Sequence, residues 1–169
     1  LNTGVGARFN FCAQMPDGCT GLMGVFTMAN EPSFHIPYLY NYCGRPEKTQ
    51  KFVRKTLESW FRNVRRGMCG DEDGGGMSAY AVFSMMGFYP VTPASNIFAL
   101  GAPQFPRITM QITSGDGKDT HPLVIEARNI SETNMYVDHV EIDGKRHEGN
   151  FITYAQLLAA RNITFFMTK

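Results

Sequence analysis

Three adjacent carboxylates stand in the run Gly70-Asp71-Glu72-Asp73-Gly74-Gly75-Gly76. Side by side they repel one another, so a structured loop that holds them needs a partner for the charge. The flanking glycines open backbone conformations closed to other residues and let a ligand approach closely. Extended backbone sends Asp71 and Asp73 to the same side, as i and i+2 do in a strand. Such a pair suits a general base, a metal site, or both. The same acids also suit the N-terminal end of a following helix, where the dipole favours negative charge, although one acid is enough for that. Spacing alone leaves both uses open.

A second group of polar residues is Asn30-Glu31-Pro32-Ser33-Phe34-His35. Asn30 or Glu31 can cap a short helix beginning at Pro32, the commoner use of this pattern. Functionally, Glu31 offers a hard oxygen ligand, and an amide or backbone oxygen of Asn30 offers another for Ca²⁺. His35 alone is a weak signal, because a single histidine among aromatics is more often a hydrogen-bonded core residue. Tyr38, Tyr40, Tyr42 and Trp60 can stack on sugar faces, but aromatics at helical spacing more often fill a core.

These loops need elements to position them. Pro46 to Val64 has the clearest helical period, with Val53, Leu57, Trp60 and Val64 on one face. Pro46 suits a first turn and Gly67 a stop. A second, buried helix is expected from about Met77 to Met86, ending at Gly87. A shorter one is expected from near Pro32, carrying Ile36, Leu39 and Tyr40, against which Pro37 argues. The pattern changes near residue 92. Arg107 to Ile112, Leu123 to Ala127, Tyr136 to Ile142 and Ile163 to Met167 alternate with period two, and Asp143-Gly144 is a hairpin signal. Phe151 to Ala160 is expected to hold a short helix. The expectation is mixed α and β: helices first, then a small antiparallel β unit packed on them.

Composition narrows the functional classes. The 169 residues are 43% hydrophobic and 18% charged, a globular balance. A net charge of +1 gives no electrostatic reason to expect nucleic acid or an anionic membrane as partner. No apolar run approaches the roughly 20 residues of a membrane span. Cys12, Cys19, Cys43 and Cys69 match no zinc spacing. Free buried thiols are the favoured reading, with a Cys12–Cys19 bridge open if the chain is exported. Asn129-Ile130-Ser131 and Asn162-Ile163-Thr164 fit the glycosylation pattern, which recurs often by chance.

Two long stretches go beyond composition. Asn30-Glu31-Pro32-Ser33-Phe34-His35-Ile36-Pro37-Tyr38-Leu39-Tyr40-Asn41-Tyr42, with Gly44-Arg45-Pro46 and Thr49-Gln50, closely resembles a signature of glycoside hydrolase family 92. So does Gly70 to Ala79, continuing from Phe83 to Pro93, with Gly101-Ala102-Pro103 beyond. The resemblance implies a calcium-dependent, inverting exo-α-mannosidase acting on mannose-containing glycans, secreted or periplasmic. It implies an N-terminal β-sandwich domain paired with a C-terminal (α/α)6 barrel. Residues 1–92 would be the last barrel helices and residues 93–169 a β-rich region packed on them. By the same resemblance Asp71 and Asp73 are the catalytic general-base pair. Asn30, Glu31 and Asp73 belong to the Ca²⁺ site, and His35 and Glu72 to substrate binding, with Glu72 pointing away from the attacking water as support.

The sequence departs from the family pattern in three ways. Phe34-His35 stands where two histidines are usual, and Met68-Cys69 where Leu-Pro is usual before the acidic run. The general acid, a glutamate in a Trp-containing motif, lies upstream of anything present. The chain is therefore expected to be a C-terminal piece, inactive by itself. The competing readings are a non-catalytic calcium- and carbohydrate-binding module and another (α/α)-barrel α-glycosidase.

Overall fold

The computed structural model describes residues 22–23, 26–65 and 67–169. Two short strands, β1 (Leu22–Met23) and β2 (Phe26–Thr27), pair antiparallel and lead into the Asn30 motif. The helix expected from Pro32 is broken into 3-10 turns at Glu31–Ser33 and Ile36–Tyr38 and one short α-helix, α1 (Leu39–Tyr42). Pro32 and Pro37 each start a turn, and Pro37 cannot donate the backbone bond that a continuous helix requires.

Helix α2 (Pro46–Trp60) starts on Pro46 and buries Val53 and Leu57. Arg54 Nε holds Glu58 Oε1 at 2.8 Å one turn on. The helix is shorter than expected. Phe61 is extended, and the Arg62 N–H donates to the Gly67 carbonyl at 2.7 Å instead of continuing the helical ladder. Val64 is left 65% exposed, so its place in the helical period was accidental. Helix α3 (Gly76–Met86) has Met77 and Tyr80 fully buried and closes on Gly87, whose left-handed backbone donates to Phe83 and Ser84.

Beyond α3 the strands are β3 (Phe88–Tyr89), β4 (Ile97–Leu100), β5 (Arg107–Thr113), β6 (Thr120–Arg128), β7 (Tyr136–Ile142), β8 (Lys145–His147), β9 (Phe151–Thr153) and β10 (Asn162–Thr168), with α4 (Tyr154–Ala159) before the last. The larger sheet runs β5-β6-β10-β7-β8 and the smaller β3-β4-β9. The β unit is not purely antiparallel as expected: β10 inserts between β6 and β7, parallel to β6 and antiparallel to β7. The reason is burial. Ile163, Phe165 and Met167 are almost wholly enclosed, and a strand so apolar gains most from the centre of a sheet. Asp143 and Gly144, both at positive φ, make the expected two-residue turn between β7 and β8.

Two apolar cores result. One lies between the sheets around Phe88, Leu123, Ile125, Ile152 and Phe165. The other holds the helices around Tyr38, Val53, Leu57, Met77 and Tyr80. Buried amides tie them together. Asn41 Nδ2 donates to the Leu100 carbonyl at 2.7 Å, and Gln50 Oε1 accepts from the Val137 N–H at 3.1 Å. Of the described cysteines Cys43 is exposed and Cys69 buried, both free; the Cys12–Cys19 pair lies outside the described residues. Among the described residues no helix is long and apolar enough to cross a membrane.

Asn41 is 3% exposed, so its loss strands a buried carbonyl. Asn41→Ala is expected to lower stability by about 1–3 kcal/mol, the cost of one unsatisfied buried polar group. Denaturant melts followed by both far-UV and near-UV circular dichroism check this; an unchanged midpoint would show that Leu100 finds another donor.

Candidate active site

The two polar motifs, some forty residues apart in sequence, meet at two points. A Cβ at Gly70 would lie 2.5 Å from the Ala29 carbonyl oxygen and 2.9 Å from the Ala29 Cβ, so only glycine fits there. A Cβ at Gly76 would lie 3.3 Å from Glu31 Cγ and 3.8 Å from Glu31 Oε1. The start of α3 is thus pressed against the turn that carries Glu31. Phe34 holds this arrangement from below: it is 5% exposed, with its ring 4.8 Å from that of Tyr80 on α3. Phe34, one of the departures from the resembled pattern, is thus a core aromatic.

Glu31 is half-buried, and its Oε1 is shielded from solvent with no hydrogen-bond partner among the described residues. Burial raises its carboxyl above the ordinary carboxylate value and a local backbone bond offsets part of the shift. The nearby carboxyl of Asp73 and the charge of Asp71 add to the rise. Glu31, Asp71 and Asp73 therefore share one negative field. Tyr89 stands at its edge, its phenol raised by burial and then by the Glu31 charge, with its ring stacked 5.1 Å from Tyr38. In the sequence Tyr89 falls inside the Phe83 to Pro93 stretch, and no spacing rule distinguishes it from a core aromatic.

The acidic run is not extended. Glu72 is helical (φ −74, ψ −29) and Asp73 has φ 47, so the same-side geometry expected of extended backbone does not hold. The run turns because it closes the first turn of α3: the Glu72 carbonyl accepts from Gly75 N and Met77 N, and its carboxylate Oε1 accepts from Ser78 N at 3.2 Å. Glu72 Oε2 is shielded and has no partner among the described residues. Asp71 and Asp73 remain exposed.

Of the remaining expected residues, Asn30 and His35 are exposed, and neither side chain hydrogen bonds to the acidic run among the described residues. Their carbonyls close the 3-10 turns, accepting from Ser33 N and Tyr38 N. Tyr38 is core, its hydroxyl 2.9 Å from Ser84 Oγ, while Tyr42 is 56% exposed against Phe151. Burial pushes the Cys69 thiol, one residue before the run, up to about 11, which keeps it protonated and unreactive near neutrality. Among the described residues no three His, Cys, Asp or Glu side chains converge tightly enough to hold a metal ion unaided. A hard cation at Glu31 and Asp73 needs further oxygen donors.

Comparison with known proteins identifies the family. The model of the glycosyl hydrolase family 92 catalytic domain matches residues 6–169. A solved family GH92 α-mannosidase from Bacteroides thetaiotaomicron is 34% identical with a TM-score of 0.80, covering 88% of this chain and 19% of its own. A family GH92 inverting mannosidase from Bacteroides thetaiotaomicron VPI-5482 is 32% identical with a TM-score of 0.71, covering 83% of this chain and 19% of its own. A protein of Arthroderma benhamiae named as an uncharacterized secreted glycosidase is 29% identical over 152 residues, 86% of this chain and 18% of its own. The chain therefore spans about a fifth of the length of these relatives. By the family match and by its fold, the chain belongs to glycosyl hydrolase family 92.

Proposed function

We propose that the chain forms one wall of the catalytic centre of an inverting, calcium-dependent exo-α-mannosidase that removes terminal α-linked mannose from glycans outside the cytoplasm. The observation that carries this reading is the negative field that Glu31 shares with Asp71 and Asp73 where the start of α3 packs against the Glu31 turn. Family membership, an inverting mannosidase among the similar structures and a relative named as secreted support it. On the same reading, residues 1–92 are the last helices of an (α/α)6 barrel and residues 93–169 a β-rich region packed against it. A β-sandwich domain and the general acid come from the rest of the intact protein.

The chemistry asked of this wall is activation of water. An inverting glycosidase places its base roughly 6.5–9.5 Å from the acid, leaving room for the nucleophile between them. Asp73, raised on an exposed turn, takes the proton of that water, and Asp71 orients it or shares the charge. Glu31 and Asp73, with an Asn30 oxygen and donors from elsewhere, would hold calcium: two carboxylates in one negative field, one with a shielded oxygen, are what a hard cation satisfies. Calcium bound there would engage neighbouring sugar hydroxyls and favour a distorted ring near the oxocarbenium-like transition state. His35 lines the sugar side.

In the intact protein, Asp71→Asn and Asp73→Asn are each expected to lower kcat by about 10²–10⁴-fold, with the double variant little worse than the slower single one. Initial rates on an aryl α-mannoside test this, and full rates in both variants refute the base assignment. NMR of the fresh product should show β-mannose; an α product would exclude inversion.

Chelation should abolish turnover and added Ca²⁺ restore it. Activity that survives exhaustive chelation removes the metal from the reading.

Gly76→Ala separates the position of Glu31 from stability. Gly76 is helical, so alanine is intrinsically favoured by about 0.5–1 kcal/mol, yet its Cβ must push Glu31 aside. The variant should melt no lower than the parent while kcat falls about tenfold or more. Unchanged kcat would show that Glu31 tolerates displacement.

A further inference from the structure

Asp73, Gly74 and Gly75 occupy the left-handed region in succession, at φ 47, 68 and 99. Two glycines take this conformation freely, but Asp73 does not, and a residue held there needs restraint from its surroundings. Besides the Gly76 N–H, which donates to the Asp73 carbonyl, the hydrogen bonds that close this turn run through one residue. The Glu72 carbonyl accepts from Gly75 N at 3.2 Å and from Met77 N at 3.3 Å. Its side chain then reaches over the same turn, and Oε1 accepts from Ser78 N at 3.2 Å. Backbone and side chain of Glu72 thereby take three N–H groups around the start of α3, with Asp73 at the apex of the loop they close. The positive end of the helix dipole favours the carboxylate in this place.

We infer that Glu72 is a positioning residue that acts through Asp73: its carboxylate clamps the first turn of α3 and so fixes Asp73 in the left-handed conformation that directs it toward the reacting water. This rests on Asp73 being the base. It gives Glu72 a different task from the sugar contact implied by resemblance, and it depends on an acceptor oxygen rather than on charge. Glutamine retains that acceptor. Alanine removes it, and aspartate, one methylene shorter, falls short of Ser78.

The intact protein is compared in five variants. Glu72→Ala and Glu72→Asp should each lose about 10–100-fold in kcat, the scale of a catalytic group displaced by about an ångström, with KM within about threefold. Glu72→Gln should rescue most of that loss. Glu72→Ala combined with Asp73→Asn should be no slower than Asp73→Asn alone, because a residue acting through Asp73 has nothing further to lose. A crystal structure of Glu72→Ala should show Asp73 out of the left-handed region. Equal damage in Glu72→Gln and Glu72→Ala, or multiplicative losses in the double variant, would overturn the inference, as would Asp73 unmoved in that crystal structure. Full turnover in Asp73→Asn would remove the base assignment instead, and the backbone of Asp73 in Glu72→Ala would still decide whether Glu72 positions it.

Discussion

The site depends on a close approach of two loops that only missing side chains allow. At Gly70 the backbone of the acidic run touches Ala29, and at Gly76 the start of α3 touches Glu31. Either contact widened by a methyl group moves one loop against the other. Interiors pack at crystal-like density and transmit such shifts rather than absorb them. The aromatic layer below gives the loops a stiff floor. Phe34, Tyr38, Tyr80 and Tyr89 contact one another edge-on or stacked at 4.8 to 6.5 Å, with Phe34 and Tyr38 beneath the Glu31 turn and Tyr80 on α3. Burying that many rings stabilises by several kcal/mol on transfer bookkeeping. That stability is available to hold carboxylates against their own repulsion.

Apart from Tyr89 on β3, the β region braces this arrangement from outside. Its central strand β10 is bound on both sides, and the tie to the helices runs through Asn41 and Gln50 rather than through apolar contact alone. Buried amides cost more to leave unpaired than they contribute when paired, so they specify one docking geometry and penalise slippage. A helical layer that slid on the sheet would carry the Glu31 turn with it, since α1 and that turn are continuous in the chain.

Much of the scaffold was legible because its signals are local. Period two marked β5, β6, β7 and β10, Asp143-Gly144 marked the hairpin, and Pro46 marked the start of α2. What failed depended on contacts that one segment cannot reveal. Val64 fitted the helical period, yet the chain turns at Phe61 because Arg62 finds Gly67. The parallel placement of β10 follows from its burial in the whole sheet and not from its alternation. In the site, the acidic run was read as extended, and Glu72 instead closes it into a turn over α3. Resemblance, not spacing, joined the Asn30 and Gly70 motifs; the physical reason they join, a glycine facing Ala29 and another facing Glu31, is visible only in three dimensions.

The distribution of charge makes the same point about the centre itself. The described arginines and lysines that form ion pairs do so with Glu47, Glu58, Asp116, Asp119, Glu126 and Glu148, and none of those pairs reaches Glu31, Asp71, Glu72 or Asp73. Burying or crowding carboxylates without a counter-charge is costly, and a fold that keeps four of them together at the mouth of a helix carries that cost in isolation. The helix dipole offsets part of it for Glu72 alone. Two carboxylate oxygens, on Glu31 and Glu72, remain shielded and without donors among the described residues. Asn41 Oδ1 in the helix–sheet tie is also left without a donor among the described residues, but only at the acidic wall do such acceptors carry charge. Acceptors held ready without internal donors are suited to donors that arrive from outside: a cation, sugar hydroxyls, a water molecule about to react. The electrostatic cost of the acidic wall and its readiness for outside donors therefore have one cause.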